Sequence, residues 1–532
     1  MTAVRDAYAS LTQAEADERD EYLNPSAYVE FKTKDMKTWG ICGDYRELKF
    51  TDQKNKSGSL NITVPDDDHW HAYFDGQPKR TVRPIVVRLP HYTTLWIITD
   101  FTRVRKGFKR YYEVSAVGAL EYLNWMRIWP CPWFPPEFQP IKFWFGLGPA
   151  ASVMSGAFAA NAVRLQASLW SIPTGNLLDL KSWNILKTAM HPLMVNPRHK
   201  LLGDTTPWIA SSWRMDKMMD AFTEVCDAEN MQITATFVDP DVDPQPFPEY
   251  ATITEPKLIF DFVEKGAPVG WTGTIVDGFF RTGLQMADDA MKWILYPILG
   301  EENYDDYLQK AAGAIADKPI AVYTTGDYSP VDEFEQTTHT GLATRITAGG
   351  KSPDWLNNTV VSGMNLILGA LGSAFGLAGL SLGIFDGLVK DTIMAFHSDE
   401  DLRAANEAGP WRFREDFAES ASTGLTLNTF AGMKNQHFKN RAYVSHAITA
   451  SNGSPYYIGK DLQLGDLIGV EMADGKVEVD YLEEITYEDS RSVRGRYTLQ
   501  IGRPDAEREP GSIALGKIRS LGTWITRLAL SE

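Results

Sequence analysis

Apolar and polar residues alternate through much of residues 26–120. Tyr28-Val29-Glu30-Phe31 alternates, Met36–Trp39 resumes after a Lys-Asp turn, and Leu60, Ile62 and Val64 share one face of Ser59–Val64. Ile85–Leu89, Leu95–Phe101 and Arg110–Val117 follow, separated by Pro90-His91-Tyr92 and by Lys106-Gly107. A period of two sends successive side chains to opposite faces of a strand. The spacing therefore predicts a small antiparallel barrel at 26–120. A second β-rich region spans 442–501, with strands at Tyr443–Thr449, Leu467–Met472, Lys476–Tyr487 and Arg496–Ile501 and a hairpin turn at Asp474-Gly475. Between them the period lengthens. Met215, Met218, Met219, Phe222, Val225 and Cys226 recur at helical spacing, and Ile233, Ala235 and Phe237 then alternate as a strand. Helices are also expected at 151–171 and Leu284–Leu295, strands at Leu258–Phe262, Ile320–Thr324 and Gly341–Thr347, and a linker at the Asp/Pro-rich Asp239–Pro248. The class is α+β.

Two segments break this pattern. In 121–150, Trp125, Trp129, Trp133, Phe134, Phe138, Phe143, Trp144 and Phe145 are interleaved with Pro130, Pro132, Pro135, Pro136 and Pro140. Proline at this density forbids a helix interior and a central strand, so an aromatic loop is expected. Trp125, Trp129, Trp133, Phe134 and Trp144 are its candidate interface residues, because aromatic side chains dominate protein interfaces and favour bilayer interfaces. The other segment, Val360–Phe385, carries no charge, and it exceeds the roughly 20 residues that cross a bilayer as a helix. Gly372, Gly376, Gly379 and Gly383 lie along one helical stripe, while Leu366, Leu371, Phe375, Leu380 and Phe385 supply apolar bulk. Small stripes let helices pack backbone to backbone. The segment reads as a helical hairpin in an oligomeric core or as a stored membrane-inserting element. A constitutive anchor is disfavoured by its internal position and by Asp386, Lys390 and Asp391 just after it.

Composition narrows the function classes. At 532 residues the chain has room for several domains, and 44% hydrophobic with 23% charged residues excludes wholesale disorder. A net charge of −17 opposes sequence-independent binding of nucleic acid. The N-terminal 1–25 reads as an acidic arm without the apolar stretch of a secretory signal. Cys42, Cys131 and Cys226 are too few and too widely spaced for a disulfide framework or a zinc site, and Cys226 belongs on an apolar helix face. Gly349-Gly350-Lys351-Ser352 ends like a phosphate-binding loop, but Arg345 stands where the first glycine is needed. Asp66–His71 is expected as a solvated loop after Pro65. No metal, cofactor or catalytic motif emerges, although a hydrolase whose two carboxylates come from distant positions stays open.

Several stretches carry a family resemblance. They are Ser57-Gly58-Ser59-Leu60-Asn61-Ile62-Thr63-Val64-Pro65 with the hairpins to Val117 and then Leu120-Glu121-Tyr122-Leu123; Thr272-Gly273-Thr274-Ile275-Val276-Asp277-Gly278; Ala343-Thr344-Arg345-Ile346 through Gly349-Gly350-Lys351-Ser352-Pro353-Asp354-Trp355-Leu356-Asn357; and Tyr456–Arg503. In this order they resemble the tail-tip hub proteins of siphophages of actinobacteria, minor tail proteins related to tail-associated lysin-like baseplate hubs. The resemblance implies a virion protein at the tail tip, a homotrimer closing the distal end of the tail tube and gating DNA ejection. It implies contacts with a distal tail protein, a tape measure protein and other tail-tip proteins; as an insertion carried by such a ring, the apolar segment is the candidate for engaging the host membrane or for packing in the trimer core, and no sequence-specific nucleic acid is expected. Two barrel-like domains per subunit would form a pseudo-sixfold ring, and the combined acidity of three chains would repel DNA in the lumen until ejection.

The implied division is an arm at 1–25, a first hub domain at 26–120, the aromatic loop with an α/β domain at 121–250, and an α/β segment at 251–319. A second hub domain at 320–355 and 424–502 is split by an apolar helical insertion at 356–423, and a tail follows at 503–532. Many relatives end in a peptidase or glycosidase. This chain ends at Ser531-Glu532, soon after the last strand, so a non-enzymatic role is expected. A cell-wall hydrolase and a membrane pore former are the alternatives.

Overall fold

The computed structural model describes residues 27–167, 192–197, 204–229, 231–265, 319–325, 331–349, 396–418, 439–451, 456–471 and 477–502, with isolated positions between. The first region holds β1 (Tyr28–Lys32), β2 (Thr38–Ile41), β3 (Glu47–Gln53), β4 (Lys56–Pro65), helix α1 (Asp68–Phe74), β5 (Pro84–Leu89), β6 (Tyr92–Lys106), β7 (Lys109–Gly118) and the short helix α2 (Glu121–Asn124). Next come β8 (Trp144–Pro149), α3 (Ala150–Gln166), β9 (Leu193–Val195), β10 (Trp208–Trp213), α4 (Met218–Ala228), β11 (Met231–Val238) and β12 (Lys257–Glu264). The last part holds β13 (Ala321–Tyr323), β14 (Glu333–His339), β15 (Arg345–Gly349), β16 (Phe396–Glu400), α5 (Leu402–Ala408), β17 (Glu415–Ala418), β18 (Tyr443–Ser451), β19 (Leu467–Glu471), β20 (Val477–Ser490) and β21 (Arg496–Ile501).

The two β-rich regions are one sheet. Its order is β14-β18-β21-β20-β3-β4-β7-β6-β5-β1-β2, with β19 and β13 branching from β20. Among the described residues this path has two ends and forms no closed barrel, which corrects the expectation of a separate barrel at 26–120. The reason is β3, whose weak alternation (Leu48 and Phe50, then Asp52) escaped the sequence reading. One side of β3 pairs with β4 and the other with β20, antiparallel, Phe50 opposite Tyr487. Across this seam Phe50 and Tyr487 stack with ring centroids 5.2 Å apart, and the Thr51 and Thr486 hydroxyls meet at 2.9 Å. Gln53 donates to Glu484 at 2.6 Å, and Lys54 forms a 3.1 Å ion pair with Glu483. The hydrophobic core beneath runs without a break from Val29 to Ile501.

Glycine makes one contact in this core possible. A β-carbon on Gly58 would sit 2.4 Å from the Thr51 carbonyl oxygen and 3.1 Å from the Trp96 ring. The Trp96 indole can therefore approach the β4 backbone closely. Asp66–His71 is not the solvated loop expected. Asp67 caps α1, its carboxylate accepting from the Trp70 amide at 2.9 Å, as short polar side chains do at helix starts. Trp70, Tyr73 and Phe74 then fall on one buried face against Phe31. Four-residue spacing across a proline break was too short a signal to read.

A second core lies under α3 and α4. Phe158 packs on Phe260 (4.7 Å) and Phe222 on Phe262 (5.1 Å), covering the sheet β11-β12-β9. Cys226 is fully buried here, as its helical position predicts, and burial pushes its thiol well up. The stretch expected as a linker at 239–248 instead fastens the two cores together. Asp239, buried at its head, pairs with the buried Lys32 at 3.2 Å, and Lys32 also meets Glu30 at 2.6 Å.

A separate small sheet, β16-β15-β17, has its own cluster of Ile346, Ala348, Ala418 and Met433. Glu400 is fixed there by Arg345 at 2.7 Å and Arg412 at 3.1 Å. β15 and β16 are antiparallel, with Gly349 opposite Phe396. The acidic arm 1–25, the helix expected at 284–295, the island with Leu366, Leu371, Gly372, Phe375, Gly376, Gly379, Leu380, Gly383 and Phe385, and the tail 503–532 lie outside the described residues.

Candidate interaction surface on the aromatic loop

Residues 125–143 form the irregular loop that their prolines demand, between α2 and β8. One polar side chain organises it. The Gln139 carboxamide accepts from the Cys131 amide at 2.9 Å and donates to the carbonyls of Cys131, Phe134 and Pro135 at 3.2, 3.1 and 3.0 Å. A loop that lacks a hydrogen-bond ladder of its own thus borrows one from a side chain. Gln139 was missed in the sequence. Its signal was being the one amide side chain inside a run of aromatics and prolines.

The five candidate aromatics occupy two environments. Trp129 is half-buried, with its amide donating to Asn161 on α3 at 3.1 Å and the Arg164 guanidinium 4.0 Å from its ring centroid. Burial pulls the Arg164 pKa down to about 10. The aromatic face compensates part of that desolvation. Trp144, also half-buried, opens β8 opposite Trp213 of β10 and packs on the second core. Trp125, Trp133 and Phe134 face outward, at 81%, 54% and 41% exposure. Trp125 is tethered by a 3.1 Å hydrogen bond from its indole to Glu121. Phe138, Ile141 and Leu147 extend the exposed apolar surface, and Phe134 and Phe138 meet edge to face at 5.8 Å.

The loop is consequently an exposed apolar face on an anchored base. Trp129 and Trp144 fasten it to α3 and the second core, while Trp133, Phe134 and Phe138 point away from the protein. Contiguous exposed aromatics of this kind mark contact sites. Among the described residues no three His, Cys, Asp or Glu side chains converge as a metal site would require.

Comparison with known proteins agrees with an assembly component. A family model described as "Siphovirus ReqiPepy6 Gp37-like protein" matches residues 29–503, and the chain belongs to that family. It is a bacteriophage tail protein, a structural component of the virion tail. It is similar to Minor tail protein Gp28 of Mycobacterium phage L5, 22% identical over 552 residues that cover 92% of this chain and 91% of that protein. Minor tail protein Gp28 of Mycobacterium phage D29 matches with the same identity and coverage. Among solved structures, the tail protein from Neisseria meningitidis MC58 aligns with a TM-score of 0.39 at 8% identity, covering 92% of this chain and 99% of that one. The 43 kDa tail protein of prophage MuSo2 from Shewanella oneidensis gives 0.40 at 10%, covering 90% and 99%.

Proposed function

We propose that this protein is the hub of the tail tip, a trimer that closes the distal end of the tail tube, organises the other tip proteins and gates DNA ejection. The observation that carries this reading is the β3–β20 seam. It fuses two β-rich halves into one stiff sheet per subunit. In the trimer those halves act as two hub domains, 26–120 and 320–355 with 424–502, so that three chains supply six units to a ring. The aromatic loop, with Trp125, Trp133 and Phe134 outward and Trp129 and Trp144 at its base, is the contact for a distal tail or tape measure protein. The apolar insertion within 356–423 engages the host membrane. The pairing of Gly349 with Phe396 is compatible with that role, because it sets the two flanking ends of the insertion side by side on the small sheet.

Two measurements test the reading. Sedimentation equilibrium of the purified chain should give a trimer, and cryo-electron microscopy of virions should place three copies at the tip. A monomer that is absent from particles would sink it. For the insertion, Leu377→Glu should reduce leakage of liposomes without altering the trimer. Leakage that is absent in the wild type and an insertion packed within the trimer would return the segment to a structural role.

A further inference from the structure

One surface runs against the acidity of the chain. β6 and β7 continue past their neighbours: β5 pairing with β6 stops at Ile97, and β4 pairing with β7 stops at Tyr111. Beyond that point residues 105–110 form a bare two-stranded ribbon with Gly107-Phe108 at its turn. Gly107 has φ +62°, the left-handed geometry that a tight hairpin turn places on glycine. The ribbon holds Arg105, Lys106, Lys109 and Arg110 and no acid, with Arg103 just below it. Its pairing sets Arg105 directly opposite Arg110 and Lys106 directly opposite Lys109. Like charges facing each other across a hairpin destabilise it. Arg103 is bound to Asp66 at 2.9 Å, but Lys109 and Arg110 have no carboxylate partner among the described residues. At the apex the Phe108 ring is fully exposed, at 106%.

We propose that this ribbon is a tip that enters an anionic lipid surface, with Phe108 leading and the cations on the headgroup phosphates. The pairing puts Arg105 and Arg110 on one face and Lys106 and Lys109 on the other. A nucleic-acid strand or a single acidic groove would use one face, and a stacking platform would present several rings. Headgroups around an inserted tip meet both faces at once, and one apical ring is what the boundary between headgroups and acyl chains accepts. Reach matters as well. The turn lies about 10 Å beyond the last flanking strand, at about 3.4 Å per residue. That exceeds the roughly 8 Å over which physiological salt screens charge, so the tip meets an anionic surface before the acidic body is repelled.

The test uses the full-length protein and sedimentation with vesicles of phosphatidylcholine alone or with 30% phosphatidylglycerol. Wild type should bind the anionic vesicles at low salt, release them at 0.5 M salt, and ignore pure phosphatidylcholine. Lys109→Glu with Arg110→Glu should weaken binding at least about 30-fold, at roughly five-fold per lost cation. Each of those changes also creates a cross-strand ion pair, so lost binding cannot be attributed to a weakened ribbon. Phe108→Ala should reduce binding several-fold and leave the residue salt-sensitive. Equal binding to both vesicle types, no binding at all, or a single-stranded oligonucleotide held more tightly than the vesicles would each overturn the proposal. The substitutions lie on the ribbon alone, so their failure leaves the hub reading intact.

Discussion

Two of the places where aromatic side chains gather, the seam and the loop, have opposite outcomes. At the seam Phe50, Tyr487, Tyr497 and Trp96 are fully buried and touch one another, Phe50 to Trp96 at 5.6 Å and Tyr487 to Tyr497 at 5.0 Å. On the loop, Trp133, Phe134 and Phe138 sit on a backbone braced by Gln139 yet face solvent. The residue types are alike, and the backbone around them differs. Strand alternation delivers every second ring to one face, where a neighbouring strand brings more. Proline removes donors and pairing, and the rings it leaves outside must find cover elsewhere or stay bare. Burial thus follows from hydrogen-bond periodicity more than from hydrophobicity.

Four substitutions would break or sharpen that contrast. The largest effect is expected for Tyr487→Ala, which empties a ring site common to both halves of the sheet. It should cost about 3–5 kcal/mol in urea unfolding, and a loss below 1 kcal/mol would mean that the seam contributes little. Next is a charge on the sheet itself. Burial raises the carboxyl of Asp480, half-buried on β20, to about 6, with Glu483 adding to the effect and the Tyr481 amide opposing it. A carboxyl raised on folding favours the folded state at low pH, and that advantage disappears as pH rises from about 4 through 6. Asp480→Asn should flatten this dependence and stabilise the protein by about 2 kcal/mol at pH 7.5. Unchanged thermal melting curves at pH 5 and 7.5 would refute the assignment. Gln139→Ala should lower global stability by about 1 kcal/mol or less, because the segment is external. Its clearer signature is faster proteolysis between residues 131 and 140. The smallest effect belongs to Trp133→Ala, within about 0.5 kcal/mol in chemical denaturation. A drop comparable to that of Tyr487→Ala would show the loop to be core after all.

Much of the sheet was legible because its strands alternate strongly. Leu60, Ile62 and Val64, or Tyr112, Val114 and Ala116, declare one buried face, and all six are buried. The helix with Met218, Met219, Phe222 and Cys226 was equally plain. The pairing between β3 and β20 was not. No local pattern records which of two distant strands shares an edge, and β3 alternates for only half its length. Asp239 was hidden for a related reason. Its neighbours Pro240, Asp241 and Asp243 mimic a solvated connector, and only the partner Lys32, far upstream, makes it buried. For the loop, proline density announced irregular backbone. Which rings face inward depended on Asn161 and Arg164 of α3, and no spacing within the loop encodes that.

The seam also dictates a schedule. Gln53 and Glu484, joined across it, are 431 residues apart in the chain. At a ribosomal pace of about 5–20 residues per second, β3 emerges roughly 20–90 seconds before its partner exists. Throughout that interval β3 is an open edge, the feature that invites pairing with the wrong chain. Many ribosomes on one message would hold many such edges close together. The slow, non-local closure of this sheet makes the nascent chain, rather than the finished subunit, the form most exposed to misassembly in the infected cell.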